Sequence, residues 1–83
     1  MSLKPWPHEP TPSDRQPREV LRALLRAGFF VHHSTGSHKI LKHLRSPELR
    51  VTVADHGKDL KRKTLTSIIE QAGLTTEQFL KLL

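Results

Sequence analysis

An α+β fold in the order α-β-β-β-α is what this sequence predicts, and three observations carry it. Val20, Leu21, Leu24 and Leu25 fall on one face of a helix. Leu49, Val51 and Val53 alternate with Arg50 and Thr52, the pattern of a half-buried strand. Leu65, Ile68, Ile69 and Ala72 then return to the i, i+3, i+4, i+7 spacing of a helix. A three-stranded antiparallel sheet with helices on one face buries these surfaces economically. The other face of the sheet is left open to water or a ligand.

Each element has its own local cause. Residues 1–16 hold four of the six prolines (Pro5, Pro7, Pro10, Pro12) and read as a proline-rich, flexible tail before a domain over 17–83. Trp6, the sole tryptophan, falls in that tail. Pro17 suits the first turn of a helix and Gly28 its end, so the first helix spans 17–27. Arg18, Arg22 and Arg26 form a separate basic stripe on it. Phe29 to His33 is aromatic and β-branched enough for a strand. Thr35-Gly36 reads as its turn, and Ser37 to His43 as the second strand. Ser46-Pro47 marks a loop before the third strand over 49–53. The loop Asp55-His56-Gly57-Lys58-Asp59 leads to the second helix, which Gly73 stops. Thr75 with Gln78 forms a capping box that opens a short last helix with apolar Phe79, Leu80, Leu82 and Leu83.

Charge narrows the partner class. The 83 residues carry 14 Lys and Arg against 8 Asp and Glu, a net charge of +6. The pI of about 10.4 lies above the value of about 9 that marks nucleic-acid binders. Nucleic acid, a membrane surface and an acidic protein are the anionic candidates. The absence of cysteine rules out disulfides and thiolate metal sites, and fits a cytoplasmic protein. The first residues contain no apolar signal region, and no apolar run reaches membrane-spanning length.

The stretch His32-His33-Ser34-Thr35-Gly36-Ser37-His38 concentrates the chemistry. Adjacent strand residues point to opposite faces, so His32 and His33 do not chelate one ion together. No HExxH spacing occurs, and no metal or other cofactor is expected. A two-residue turn at Thr35-Gly36 sets His33 opposite His38 on one face, with Cβ atoms about 5 Å apart, and a turn one residue longer changes this register. Lys39, Lys42 and, from the loop after the third strand, His56 lie nearby in this reading. Metal-free RNA cleavage needs such groups. A base takes the 2′-hydroxyl proton, an acid protonates the leaving 5′-oxygen, and a cation steadies the crowded phosphate. Histidine suits both proton roles, and lysine or arginine the charge role. An exposed histidine in a basic hairpin is also often just solvated or in contact with a phosphate. Lys58, Lys61, Arg62 and Lys63 present the same choice between phosphate binding and a solvated helix flank.

The α-β-β-β-α layout resembles the double-stranded-RNA-binding domain. The stretches "LLRAGF" (24–29), "GSHKI" (36–40), "RVTVADHGKDLKRKTL" (50–65) and "IIEQAGLTTEQFLKLL" (68–83), in this order and spacing, resemble the HicA toxins of bacterial toxin–antitoxin pairs. The resemblance runs from about Arg18 to Leu83. It implies a double-stranded-RNA-binding-domain-like fold, cleavage of messenger RNA, and neutralisation by a HicB antitoxin. It makes His38, after Gly36-Ser37, the catalytic acid or base, and it matches a family histidine after the third strand to His56; the chemistry of the residues themselves offers His33 and His56 for the second proton role. It matches a basic segment of the family to Lys58, Lys61, Arg62 and Lys63 and favours RNA-backbone binding there, and Lys39 and Lys42 beside the hairpin join them in this reading. Three departures stand out. Ala54 replaces a proline common two residues before the loop histidine. His33 stands where arginine or lysine is common, which makes a phosphate contact its alternative role, and the tail 1–16 is outside the resemblance. The alternative reading is a non-catalytic RNA-binding module of the same fold.

Overall fold

The computed structural model describes residues 14–55 and 57–83. Trp6, most of the proline-rich tail and His56 lie outside the described residues. The elements are α1 (Pro17–Arg26), β1 (Phe29–Thr35), β2 (His38–His43), β3 (Arg50–Ala54), α2 (Arg62–Gln71) and α3 (Thr76–Leu82). The strands form one antiparallel sheet in the order β1-β2-β3. The expected α+β architecture is therefore the one observed, with the short third helix closing it.

Apolar spacing explains the core. Val20 and Leu24 of α1, Leu65 and Ile68 of α2, and Phe79 of α3 are buried with the inward residues of the sheet, Leu41, Val51 and Val53. Truncating a buried residue such as Phe79 to alanine costs about 3–5 kcal/mol in general. Strand alternation sends the intervening side chains to the open face. Cross-strand pairing places Phe30, Lys42 and Arg50 in one row there, and Thr35, His38 and Ala54 in another.

Local chemistry sets the ends. Pro17 takes the first turn of α1, where a missing N–H costs nothing. The Glu19 carboxylate accepts a hydrogen bond from the Gln16 backbone N–H at 3.1 Å. In α3 the capping box predicted from Thr75 and Gln78 is complete: the Gln78 N–H donates to Thr75 Oγ1 at 3.0 Å, and the Thr75 N–H donates to Gln78 Oε1 at 2.9 Å. Gln71 Oε1 accepts from the Thr52 N–H at 3.3 Å and so covers part of the β3 edge.

Three expectations change. The hairpin turns at Gly36-Ser37, one residue later than Thr35-Gly36, and β1 runs on to Thr35. Tight hairpins want a positive φ at the first turn residue. Gly36 supplies it at +53°, whereas the β-branched Thr35 would be strained there. Second, the β1–β2 register shifts between Val31 and His33, leaving His32 as a bulge. Third, the fold begins before Pro17. Arg15 and Leu60 exchange backbone hydrogen bonds of 3.1 and 2.7 Å, which ties the entry to α1 to the entry to α2.

Candidate functional site

The site is built from the hairpin turn outward. His38 opens the central strand, exposed, with Thr35 opposite it on β1 and Ala54 opposite it on β3. The Asp55 N–H donates to the Ser37 carbonyl, so the loop after β3 is held against the turn. The Gly36-Ser37-His38 motif therefore sits where the β1–β2 turn and the β3–α2 loop meet.

His33 does not pair with His38. The later turn and the bulge set His33 opposite Ile40, and Thr35 opposite His38. His33 and His38 still share the open face, as diagonal neighbours. Thr35 bridges them in sequence and space: its Oγ1 lies 2.9 Å from His33 Nε2. His32 was expected on the opposite face from His33. As the bulged residue it escapes strict alternation, and its ring packs edge-on to Phe30 of the open face, with centroids 6.2 Å apart.

The basic residues divide. Lys42 lies on the open face with His38, four residues along β2, about 13 Å away at 3.3 Å per residue. Lys39 points the other way, because it follows His38 directly in the strand. Its Nζ lies 3.8 Å from Asp55 Oδ2. Lys58 is exposed in the loop, and Lys61 pairs with Asp14 at 3.0 Å. Arg62 and Lys63 line an open groove with Thr66 and Ser67. The first turn of α2 holds no acid, and its N-cap, Lys61, makes no side-chain cap bond. Cations at the positive end of a helix are unfavourable by about 0.3–1 kcal/mol each. Such an end is also a ready anion site.

Two residues of the open face escape a reading based on charge and motif. Thr35 looks like a turn residue, yet it touches His33 and faces His38. Arg50 adds a cation beside Lys42, and the alternation with Val51 was its signal. His43, by contrast, is structural. Its Nδ1 accepts from the Arg45 N–H at 3.1 Å, so Nε2 carries the proton and donates to the Ala27 carbonyl at 2.9 Å. Among the described residues, no three histidine or acidic side chains converge as a metal site. No helix among them is long and apolar enough to cross a membrane.

A family model described as the HicA toxin of bacterial toxin–antitoxin systems matches residues 17–74. The match takes in the hairpin, β3 and α2, and ends before α3. A comparison with curated proteins found no match at the stringency applied.

Proposed function

The chain belongs to the HicA toxin family, the toxins of bacterial toxin–antitoxin systems, and on that premise we propose that it is a metal-independent endoribonuclease acting on messenger RNA, with His38 as its proton-transfer residue. The observation that carries this reading is His38 itself. It follows Gly36-Ser37, is exposed, and heads the central strand on the uncovered face of the sheet.

The reaction asks little of the fold beyond placement. The 2′-oxygen of a ribose attacks the adjacent phosphorus while a base takes its proton. The bond to the 5′-oxygen breaks as an acid supplies that oxygen with a proton. A 2′,3′-cyclic phosphate and a 5′-hydroxyl result. His38 performs one of these transfers. His33 and His56 are the candidates for the other. A cation near the phosphate stabilises the charge that builds in the transition state.

RNA reaches His38 along the basic surface. Lys42 shares its face, and Lys58, Arg62 and Lys63 stand exposed around the α2 entry. Lys61 has a carboxylate partner in Asp14, which a phosphate displaces, whereas Lys39, beside Asp55 on the helix side of the sheet, stays off this path. At the α2 N-terminus an incoming phosphate meets free backbone N–H groups and removes the repulsion among the cations. The toxin's partner is a HicB-like antitoxin. It blocks the site by covering His38 and offering acidic groups to the cations. Messenger RNA and antitoxin are both cytoplasmic, and so is the protein in this reading.

The cationic α2 entry also suits a second reading, a non-catalytic RNA-binding module. The test is incubation of pure protein with RNA in EDTA, for the wild type and for His38→Ala. The nuclease reading expects cleavage by the wild type and a loss of at least about 100-fold in the variant, within the range for general acid–base catalysis. RNA binding and the folded-state spectrum survive in the variant, because His38 is exposed. Intact RNA at high enzyme excess would leave only the binding module.

A further inference from the structure

We infer that His33 is the second proton-transfer group of the site, and that Thr35 is the residue that positions it. The inference rests on the nuclease reading above and assigns a partner to His38.

The geometry comes from the register. Thr35 lies directly across from His38, and its hydroxyl is 2.9 Å from His33 Nε2. Residues 33 and 35 are two apart in one strand and so face the same way. His33, Thr35 and His38 therefore form a triangle on the open face. Diagonal cross-strand positions stand about 7–8 Å apart. That gap admits a phosphate between the two rings, which a directly opposed pair about 5 Å apart does not. The bulge at His32 has a use here: it keeps Phe29 and Val31 in step with β2 while His33 stays on the open face.

Thr35 restrains a ring that would otherwise rotate freely on the surface. Whichever way the proton points in the Thr35–His33 bond, Nε2 is occupied, which leaves Nδ1 as the nitrogen for proton transfer. Among the described residues the His33 ring has no other hydrogen-bond partner. In the reaction, one histidine takes the 2′-hydroxyl proton as the O2′–P bond forms. The other, protonated beforehand, gives its proton to O5′ as the P–O5′ bond breaks. The two imidazoles end with their protonation exchanged, and water resets them. No oxidant or metal enters the balance.

Among the described residues, the other ionisable groups on this face are His32 of β1, Lys42 of β2 and Arg50 of β3. Lys42 and Arg50 add positive charge, which favours phosphate.

Single-turnover cleavage of an unstructured RNA transcript, followed from pH 4.5 to 9, tests the assignment. The wild type is expected to show a bell-shaped profile with two limbs. His33→Gln removes one limb and slows cleavage by about 10²-fold or more. Thr35→Val moves that same limb and lowers the rate on the order of tenfold, less than the roughly 100-fold that a 1 Å misplacement costs. Thr35→Ser restores both. RNA affinity of all three, measured in a His38→Ala background, stays within about threefold. Both positions are exposed, so circular dichroism is expected to match the wild type. A His33→Gln protein that keeps both limbs and a rate within threefold overturns the inference while leaving the nuclease reading intact. A wild type that cleaves no RNA overturns both.

Discussion

The imidazole of His43 occupies the space into which a side chain at Gly28 would project. A Cβ built on Gly28 lies 2.8 Å from His43 Nε2, and Gly28 has φ of +101°. The close approach follows from the hydrogen bond between Nε2 and the Ala27 carbonyl at 2.9 Å and from the edge-on contact of the ring with Phe29, 5.0 Å between centroids. The end of α1 and the end of β2 are thus joined through one ring. Gly28→Ala is expected to lower stability by about 2–3 kcal/mol in urea denaturation, since strained left-handed backbone costs on the order of 1–3 kcal/mol. Part of the loss is steric, so the same substitution costs less in a His43→Ala background. Equal losses in both backgrounds would show that the backbone alone is responsible.

The basic stripe of α1 is not uniform. Arg26 donates from Nη1 to the Leu82 carbonyl at 2.6 Å, which closes the C-terminal end of α3. Arg22, one turn earlier, is exposed and has no such bond. Arg26→Ala is expected to cost about 1 kcal/mol, and Arg22→Ala to stay within about 0.5 kcal/mol. For a domain of this size 1 kcal/mol moves Tm by about 4–8 °C, so a thermal melt separates the two. Equal melting temperatures would remove the structural role of Arg26.

Arg62 and Lys63 meet RNA through charge. In a His38→Ala background, each single alanine substitution is expected to reduce the slope of log affinity against log salt by about 0.7 per lost phosphate contact on a single strand. Lys39→Ala, on the helix side of the sheet and close to Asp55, leaves the slope nearly unchanged. Fluorescence anisotropy with a labelled RNA across a salt series reads this directly. A slope that responds to Lys39 but not to Arg62 or Lys63 would move the RNA path to the other side of β2.

Much of the fold is legible in local chemistry. Pro17 and Gly28 bracket α1, the alternation from Leu49 to Val53 marks β3, and Thr75 with Gln78 starts α3. In each case a cap, a period or a positive φ acts over a few residues. The same alternation that parts His32 from His33 also parts His38 from Lys39, yet the motif sets Lys39 beside His38, and the pairing of Lys39 with Val53 corrects that placement. The hairpin register is harder to read. It depends on which of two neighbouring residues tolerates a positive φ, and Gly36 does so better than Thr35.

The sequence by itself determined the order of elements, the basic character of the surface and the prominence of His38 after Gly36-Ser37. Tertiary structure decided which groups share its face. The bulge at His32 arises because Phe29 is buried in the core opposite His43 while the turn pins Thr35 against His38. One strand then has to absorb an extra residue between two anchored ends. The Arg15–Leu60 bridge and the reach of Arg26 to Leu82 join residues 45 and 56 positions apart, distances over which no local pattern carries information. Thr35 is the clearest case. In the chain it is a turn-flanking threonine; in the folded sheet it stands between the two histidines.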